Sequence, residues 1–212
     1  MPDPKTPLEP GRFYHIYNRG TNRCPIFRET DNYNYFLSLY DKYISPVADT
    51  YAWVLMGNHF HFLVRILPPD LSNPSNPEGF KNLQGLKGST TVAENKTYQH
   101  FSNLFNAYSK AFNKRYERTG SLFEHTFRRN LVDDANYLKQ VVLYIHNNPV
   151  HHGFCSHPAE YPWSSYLSCI SLQPGQLKCK SVIGWFDNEA DFKLLHDKRF
   201  DPVPVENLLG PE

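Results

Sequence analysis

Apolar positions along the chain alternate between two spacings, and the changes of spacing mark out the elements. Residues 13–19, FYHIYNR, are aromatic and β-prone and are closed by Gly20, which predicts a first strand. Over residues 30–44 the rhythm changes. Tyr33, Phe36, Leu37, Tyr40 and Ile44 recur at helical spacing behind Thr30 or Asp31 as a cap, so a helix follows. Tyr51–Met56 and His59–Ile66 are two further β-rich runs parted by Gly57-Asn58, a dipeptide suited to a tight turn or bulge between antiparallel strands. Residues 67–96 are rich in Pro, Asn, Gly and Ser and too polar to pack, which reads as a long surface insertion.

From about Thr97 helical spacing returns, with Phe101, Leu104, Phe105, Tyr108, Ala111 and Phe112 on the buried side and Gly120 as a stop. SLFEHTFRRNLV (residues 121–132) looks extended. DDANYLKQVVLYIHN (133–147) has acidic residues in its first turn and predicts a third long helix ending before Asn148-Pro149. YPWSSY (161–166) reads as a short packed helix, and residues 188–198 as a weak one. Strand, helix, strand, strand, helix, strand, helix is the order of an α+β fold: a ferredoxin-like antiparallel sheet with helices on one face. The expected division is an extension over 1–11, one domain over 12–170, and a tail over 171–212.

Composition narrows the class. At 212 residues, 40% hydrophobic and 15% aromatic, the chain can bury one substantial core. No apolar run is long enough to cross a bilayer, and MPDPKTPLEPGR lacks the apolar stretch of a secretory signal, so a cytoplasmic protein is expected. Cys24, Cys155, Cys169 and Cys179 show no paired short spacing, which suggests neither a zinc knuckle nor a disulfide framework. Formal net charge is +1, so a nucleic-acid role must rest on local clustering. Between residues 110 and 129, Lys110, Lys114, Arg115, Arg118, Arg128 and Arg129 outnumber Glu117 and Glu124 and are interleaved with Phe112, Tyr116, Phe123 and Phe127. Arg19 and Arg23 lie just past the first strand. Such groups can neutralise phosphates and stack on unpaired bases, or form a solvated helix end over core aromatics.

Candidate chemistry centres on WVLMGNHFHFLV. On a strand, His59 and His61 project from one face, about 7 Å apart at their bases, while Phe60 points to the other. Two imidazoles so placed can converge on a divalent transition metal, or each can be a hydrogen-bonded core histidine. On the third helix Tyr144 and Asn148 are one turn apart on one face. An Asn148 amide oxygen would complete a two-histidine-plus-oxygen site with open positions and with Tyr144 beside it. The other reading is that Tyr144 continues the packing stripe of Tyr137 and Val141 and that Asn148 caps the helix.

WVLMGNHFHFLV, GSLFEHTFRRNLV, YLKQVVLYIHNNPVHHG and YPWSSY, in that order, resemble the single-tyrosine, histidine-hydrophobic-histidine (HUH) transposases, in the branch associated with repetitive extragenic palindromes (REP). The resemblance spans about residues 10–170. It implies metal-dependent cleavage and rejoining of single-stranded DNA at hairpin sites, with magnesium or manganese as cofactor. It places the metal-binding pair on His59 and His61, the nucleophile on Tyr144 and the third ligand on Asn148. It also leaves a domesticated, catalytically silent hairpin-binding protein as an alternative. Relatives include dimers and monomers. Three features depart from the pattern: Gly57 stands where proline is frequent, Asn148 where the insertion-sequence branch has glutamine, and the 67–96 insertion is long. The histidines are expected on the open face of their strand.

Overall fold

The computed structural model describes residues 6–68, 89–124, 126–171, 175, 177–198 and 200–209. The chain forms β1 (Phe13–Arg19), α1 (Thr30–Ile44), β2 (Ala48–Leu55), β3 (His59–Ile66), α2 (Ser89–Arg115), β4 (Arg128–Val132) and α3 (Ala135–His151). It then forms α4 (Tyr166–Ser171), α5 (Cys179–Trp185), α6 (Glu189–Asp197) and α7 (Val203–Leu209). The four strands make one sheet in the order β2-β3-β1-β4 with every neighbour antiparallel. A βαββαβ chain with that order is the ferredoxin-like arrangement expected from the spacing. Most of the 67–96 insertion lies outside the described residues.

Strand alternation sorts the core into two layers. Tyr14 and Ile16 of β1 and Phe60, Phe62, Val64 and Ile66 of β3 bury against Phe36, Tyr40 and Ile44 of α1 and Phe101, Leu104, Tyr108 and Phe112 of α2. The other face carries Tyr17 and Leu63 and meets Val141, Val142, Tyr144 and Ile145 of α3. The expectation of helices on one face holds for the crossover helices α1 and α2. It does not hold for the whole molecule, because α3 and the segments after it cover the opposite side. The physical reason is the residue content of that second face, whose apolar side chains must also leave water.

Several elements differ from the sequence reading: α2 begins at Ser89, inside the stretch read as an insertion, and YPWSSY is turn and isolated bridge, with α4 starting only at Tyr166. β4 is five residues, not twelve: Leu122 and Phe123 turn into the α2 layer. Their backbone follows the end of β1 through Thr21 N to Leu122 O (3.0 Å) and Glu124 N to Arg19 O (3.0 Å). α3 runs on through Pro149 to His151. That proline sits in the last turn, where its missing N–H removes only one helical bond, so the turn survives. The tail holds α5 and α7 besides the expected helix, and it buries Cys179, Val182, Phe186, Phe192 and Val205 in the α3 layer. No helix among the described residues is long and apolar enough to cross a membrane.

Candidate active site

β3 lies in the middle of the sheet, and its alternation sends His59 and His61 to the α3 face while Phe60 enters the α1–α2 core at 0% exposure. Register with β1 sets Tyr17 opposite His61 and Arg19 opposite His59. Tyr144 and Asn148 of α3 and His152 at its C-cap recur every four residues and form one stripe over these rings. Tyr144 meets His61 edge to face at 5.2 Å between centroids, the Asn148 amide oxygen is 3.0 Å from His59 Nε2, and the His152 ring is 5.2 Å from that of His59. The four residues chosen from sequence are therefore brought together.

Two of them are more enclosed than expected. His61 is 3% exposed and Tyr144 2%, so the histidines do not share an open face; His59 alone is half-buried. The reason is α3 itself, which lies across the strand. Asn148 does not cap the helix. It sits within the last turn at 1% exposure, and its carbonyl accepts from His152 N at 3.0 Å.

Sequence reasoning missed His15. It sits on β1, fully buried, with Nε2 3.0 Å from His61 Nδ1. The signal was present in FYHIYNR: once β1 pairs with β3, its odd-numbered residues share the histidine face. Burial lowers the His15 pKa to about 3. Burial first, then the neighbouring His15, His59, His152 and Arg19, push His61 well below the ordinary range, so both rings are neutral at pH 7. Tyr17, stacked at 5.7 Å on His61, is pushed up to about 12 by burial, against the opposing pull of Arg128.

The donor atoms fit a divalent ion. Asn58 Nδ2 faces the Arg23 carbonyl at 3.4 Å, which turns its Oδ1 to His59 Nδ1 at 2.7 Å and places the ring proton there. With the ring proton on Nδ1, the Nε2 lone pair faces the Asn148 oxygen at 3.0 Å, an arrangement a cation between them would satisfy; with the proton on Nε2 the same contact is an ordinary hydrogen bond. His61 Nε2 is a buried nitrogen with no hydrogen-bond partner. Two imidazoles bound through Nε2 at about 2.1 Å hold their centres about 5 Å apart; those of His59 and His61 are 5.3 Å apart. Among the described residues no group of three His, Cys, Asp or Glu side chains is arranged to hold a metal; an ion here would have two imidazoles and a neutral amide as its donors. Gly57, just before this strand, has nothing within 4 Å of where a Cβ would stand, so the turn has room for a side chain there.

The basic residues separate into groups. Arg19, Arg23 and Arg128 lie beside the histidine face: Arg19 opposite His59, Arg23 through the Asn58 contact, Arg128 opposite Tyr17. Lys110 and Lys114 are exposed on α2, in the other layer. Arg115, also on α2, is paired at the surface with Glu29 (2.7 Å) and Asp31 (3.3 Å), which a phosphate would have to displace. Arg129 is 6% exposed, donates to the Thr6 carbonyl and lies over the Tyr98 and Phe127 rings at 5.3 and 5.2 Å. Arg115 and Arg129 are both expected from sequence at a DNA surface; Arg129 is instead buried in a structural contact, while Arg115 stays exposed beside its two carboxylates.

Fold and site together describe a ferredoxin-like sheet whose central strand carries a histidine-x-histidine pair facing a helix-borne tyrosine. The chain is similar to the solved structure of a REP-associated tyrosine transposase bound to a REP hairpin, with a TM-score of 0.53 at 18% identity over 80% of this chain and 86% of that one. At that identity the likeness is one of fold. No protein-family model and no curated protein matches the sequence.

Proposed function

We propose that the protein cleaves and rejoins single-stranded DNA beside hairpins, through a covalent link between Tyr144 and a 5'-phosphate. The observation that carries this is the contact of Tyr144 and Asn148 of α3 with His61 and His59 of β3. The shared fold with a hairpin-bound tyrosine transposase supports the substrate class. A divalent ion, magnesium or manganese, held by His59, His61 and Asn148 would neutralise charge on a non-bridging oxygen of the scissile phosphate.

The chain's own groups do the rest. A phenol ionises near pH 10, so Tyr144 is a weak nucleophile until the phosphate is oriented in line with it. Its oxygen forms the new bond to phosphorus as the bond from phosphorus to the 3'-oxygen breaks. The phenolic proton passes to water, and the departing oxygen takes one up to leave as a 3'-hydroxyl. One ester is exchanged for another, so a second 3'-hydroxyl can reverse the step and transfer the strand. Arg19 and Arg128, on the same face, would bind flanking phosphates. With Tyr144 2% exposed, the reading includes an opening of the α3–β3 contact when DNA binds.

That enclosure also favours a second reading: hairpin binding without turnover. One experiment separates them. The protein is incubated with Mn²⁺ or Mg²⁺ and labelled hairpin-flanked single strands, then denatured. A protein-DNA band that survives denaturation and is absent from Tyr144→Phe supports the enzyme; tight binding with no such band supports the second reading.

A further inference from the structure

The His15–His61 pair has a proton count that the rest of the site does not explain. Two neutral imidazoles carry two N–H groups between them, and one lies in the 3.0 Å contact between His15 Nε2 and His61 Nδ1. The other two nitrogens, His15 Nδ1 and His61 Nε2, are both buried without a hydrogen-bond partner. One of them must hold the remaining proton and the other a lone pair. If His15 donates, a proton sits on His61 Nε2, the atom directed to the candidate metal position. If His15 accepts, that atom keeps its lone pair.

We infer that His15 is a positioning residue: it accepts the His61 Nδ1 proton, fixes the ring's tautomer and holds Nε2 ready as a metal donor. The choice of direction rests on the metal reading above, because only this arrangement leaves an electron pair on His61 beside those of His59 and Asn148. His59 supplies an independent parallel. Its Nδ1 faces the Asn58 amide oxygen at 2.7 Å and its Nε2 the Asn148 oxygen of α3 at 3.0 Å, so that ring is held at Nδ1 by an acceptor in the way inferred for His61. Metal-binding histidines are commonly oriented in this way by a bond to the other ring nitrogen. An imidazole in that supporting role differs from the usual carboxylate or carbonyl. Buried at 0% exposure on β1, beside His61 of β3 and Tyr144 of α3, it adds no charge to the site.

The test reads tautomer and metal affinity, not activity. In the metal-free full chain labelled with ¹⁵N-histidine, long-range nitrogen-proton correlation is expected to show His61 protonated at Nδ1 and bare at Nε2; a proton on Nε2 overturns the inference. Mn²⁺ affinity, followed by the electron-spin signal of the free ion, is expected to fall about 10–100-fold in His15→Phe. Most of it should return in His15→Gln, whose amide oxygen can accept near the Nε2 position. Should His15→Phe bind Mn²⁺ as the unaltered chain does while His61→Ala does not, the metal reading stands and the role of His15 is lost. Should His61→Ala also bind it unchanged, the metal reading falls and takes this inference with it. If His15→Phe fails to fold, the spectrum of the unaltered chain and the Gln variant still decide.

Discussion

Single side chains carry the proposed chemistry, and their surroundings set what each substitution should do. His59 is at the half-buried edge, so His59→Ala is expected to abolish cleavage with little change in thermal midpoint. His61 is enclosed by His15, Tyr17 and Tyr144, so His61→Ala should remove cleavage and also destabilise the fold, by about 1–3 kcal/mol on denaturant titration. Equal stability of the two variants would contradict the burial described here. Arg128 and Arg129 are neighbours in sequence with opposite fates, since alternate strand residues face opposite layers. Arg128→Ala should weaken hairpin binding and reduce its salt slope by about one unit. Arg129→Ala should leave that slope unchanged and cost about 2 kcal/mol or more of stability, because it empties a buried site between two rings. That His59 and His61 share one face, and Tyr144 and Asn148 another, was legible because each spacing maps onto one side of an element; the roles proposed for them came from the resemblance. The place of His15 was not legible, because it depends on which strands pair.

Among the elements, α3 connects packing to chemistry: its apolar residues close the second core layer while its Tyr144-Asn148-His152 stripe covers β3. Asp134 starts it, accepting from Asn136 N at 2.9 Å and Tyr137 N at 2.8 Å. Asp134→Ala should lower stability by about 1 kcal/mol through loss of that cap; an unchanged midpoint would mean the first turn is held by packing alone. Helices α1 and α3 and strands β1 and β3 could be read from periodicity because their apolar residues alternate or recur cleanly. The short β4 could not, since Leu122, Phe123 and Phe127 are as apolar as a strand yet bury in a loop against α2. The end of α3 was misplaced for a different reason: proline disfavours a helix before it, and here packing of Asn148 and Ile145 overrides that local preference.

At the scale of the molecule, the tail is bound to α3 by a buried polar chain. His196 Nδ1 donates to the Phe192 carbonyl (2.7 Å), so its Nε2 accepts from His146 Nδ1 (2.9 Å), and His146 Nε2 accepts from the Ser165 hydroxyl (2.8 Å). That chain ties α6 to α3 and to YPWSSY, none of which periodicity could relate. Burial holds His146 well below the ordinary imidazole value of 6.5 and His196 at about 4. Below pH 6.5 the unfolded chain therefore binds protons that the folded chain refuses. Stability contributed by the two neutral rings is complete above about pH 6.5 and is lost as pH falls toward 4, at up to ~1.4 kcal/mol per unit for each. Denaturant titrations from pH 8 to 4 should show this decline, and a His146→Gln, His196→Gln double variant should show a shallower one. An identical slope in both proteins would contradict it.

The central claim is that the Tyr144 hydroxyl is the group that joins to DNA. The most direct measurement is mass spectrometry of peptides from the protein after reaction with a hairpin-flanked single strand and nuclease trimming. The account predicts a nucleotide mass on the peptide carrying Tyr144 and on no other tyrosine. An adduct on a different residue, or strand cleavage with Tyr144 unmodified and replaceable by phenylalanine, would contradict it.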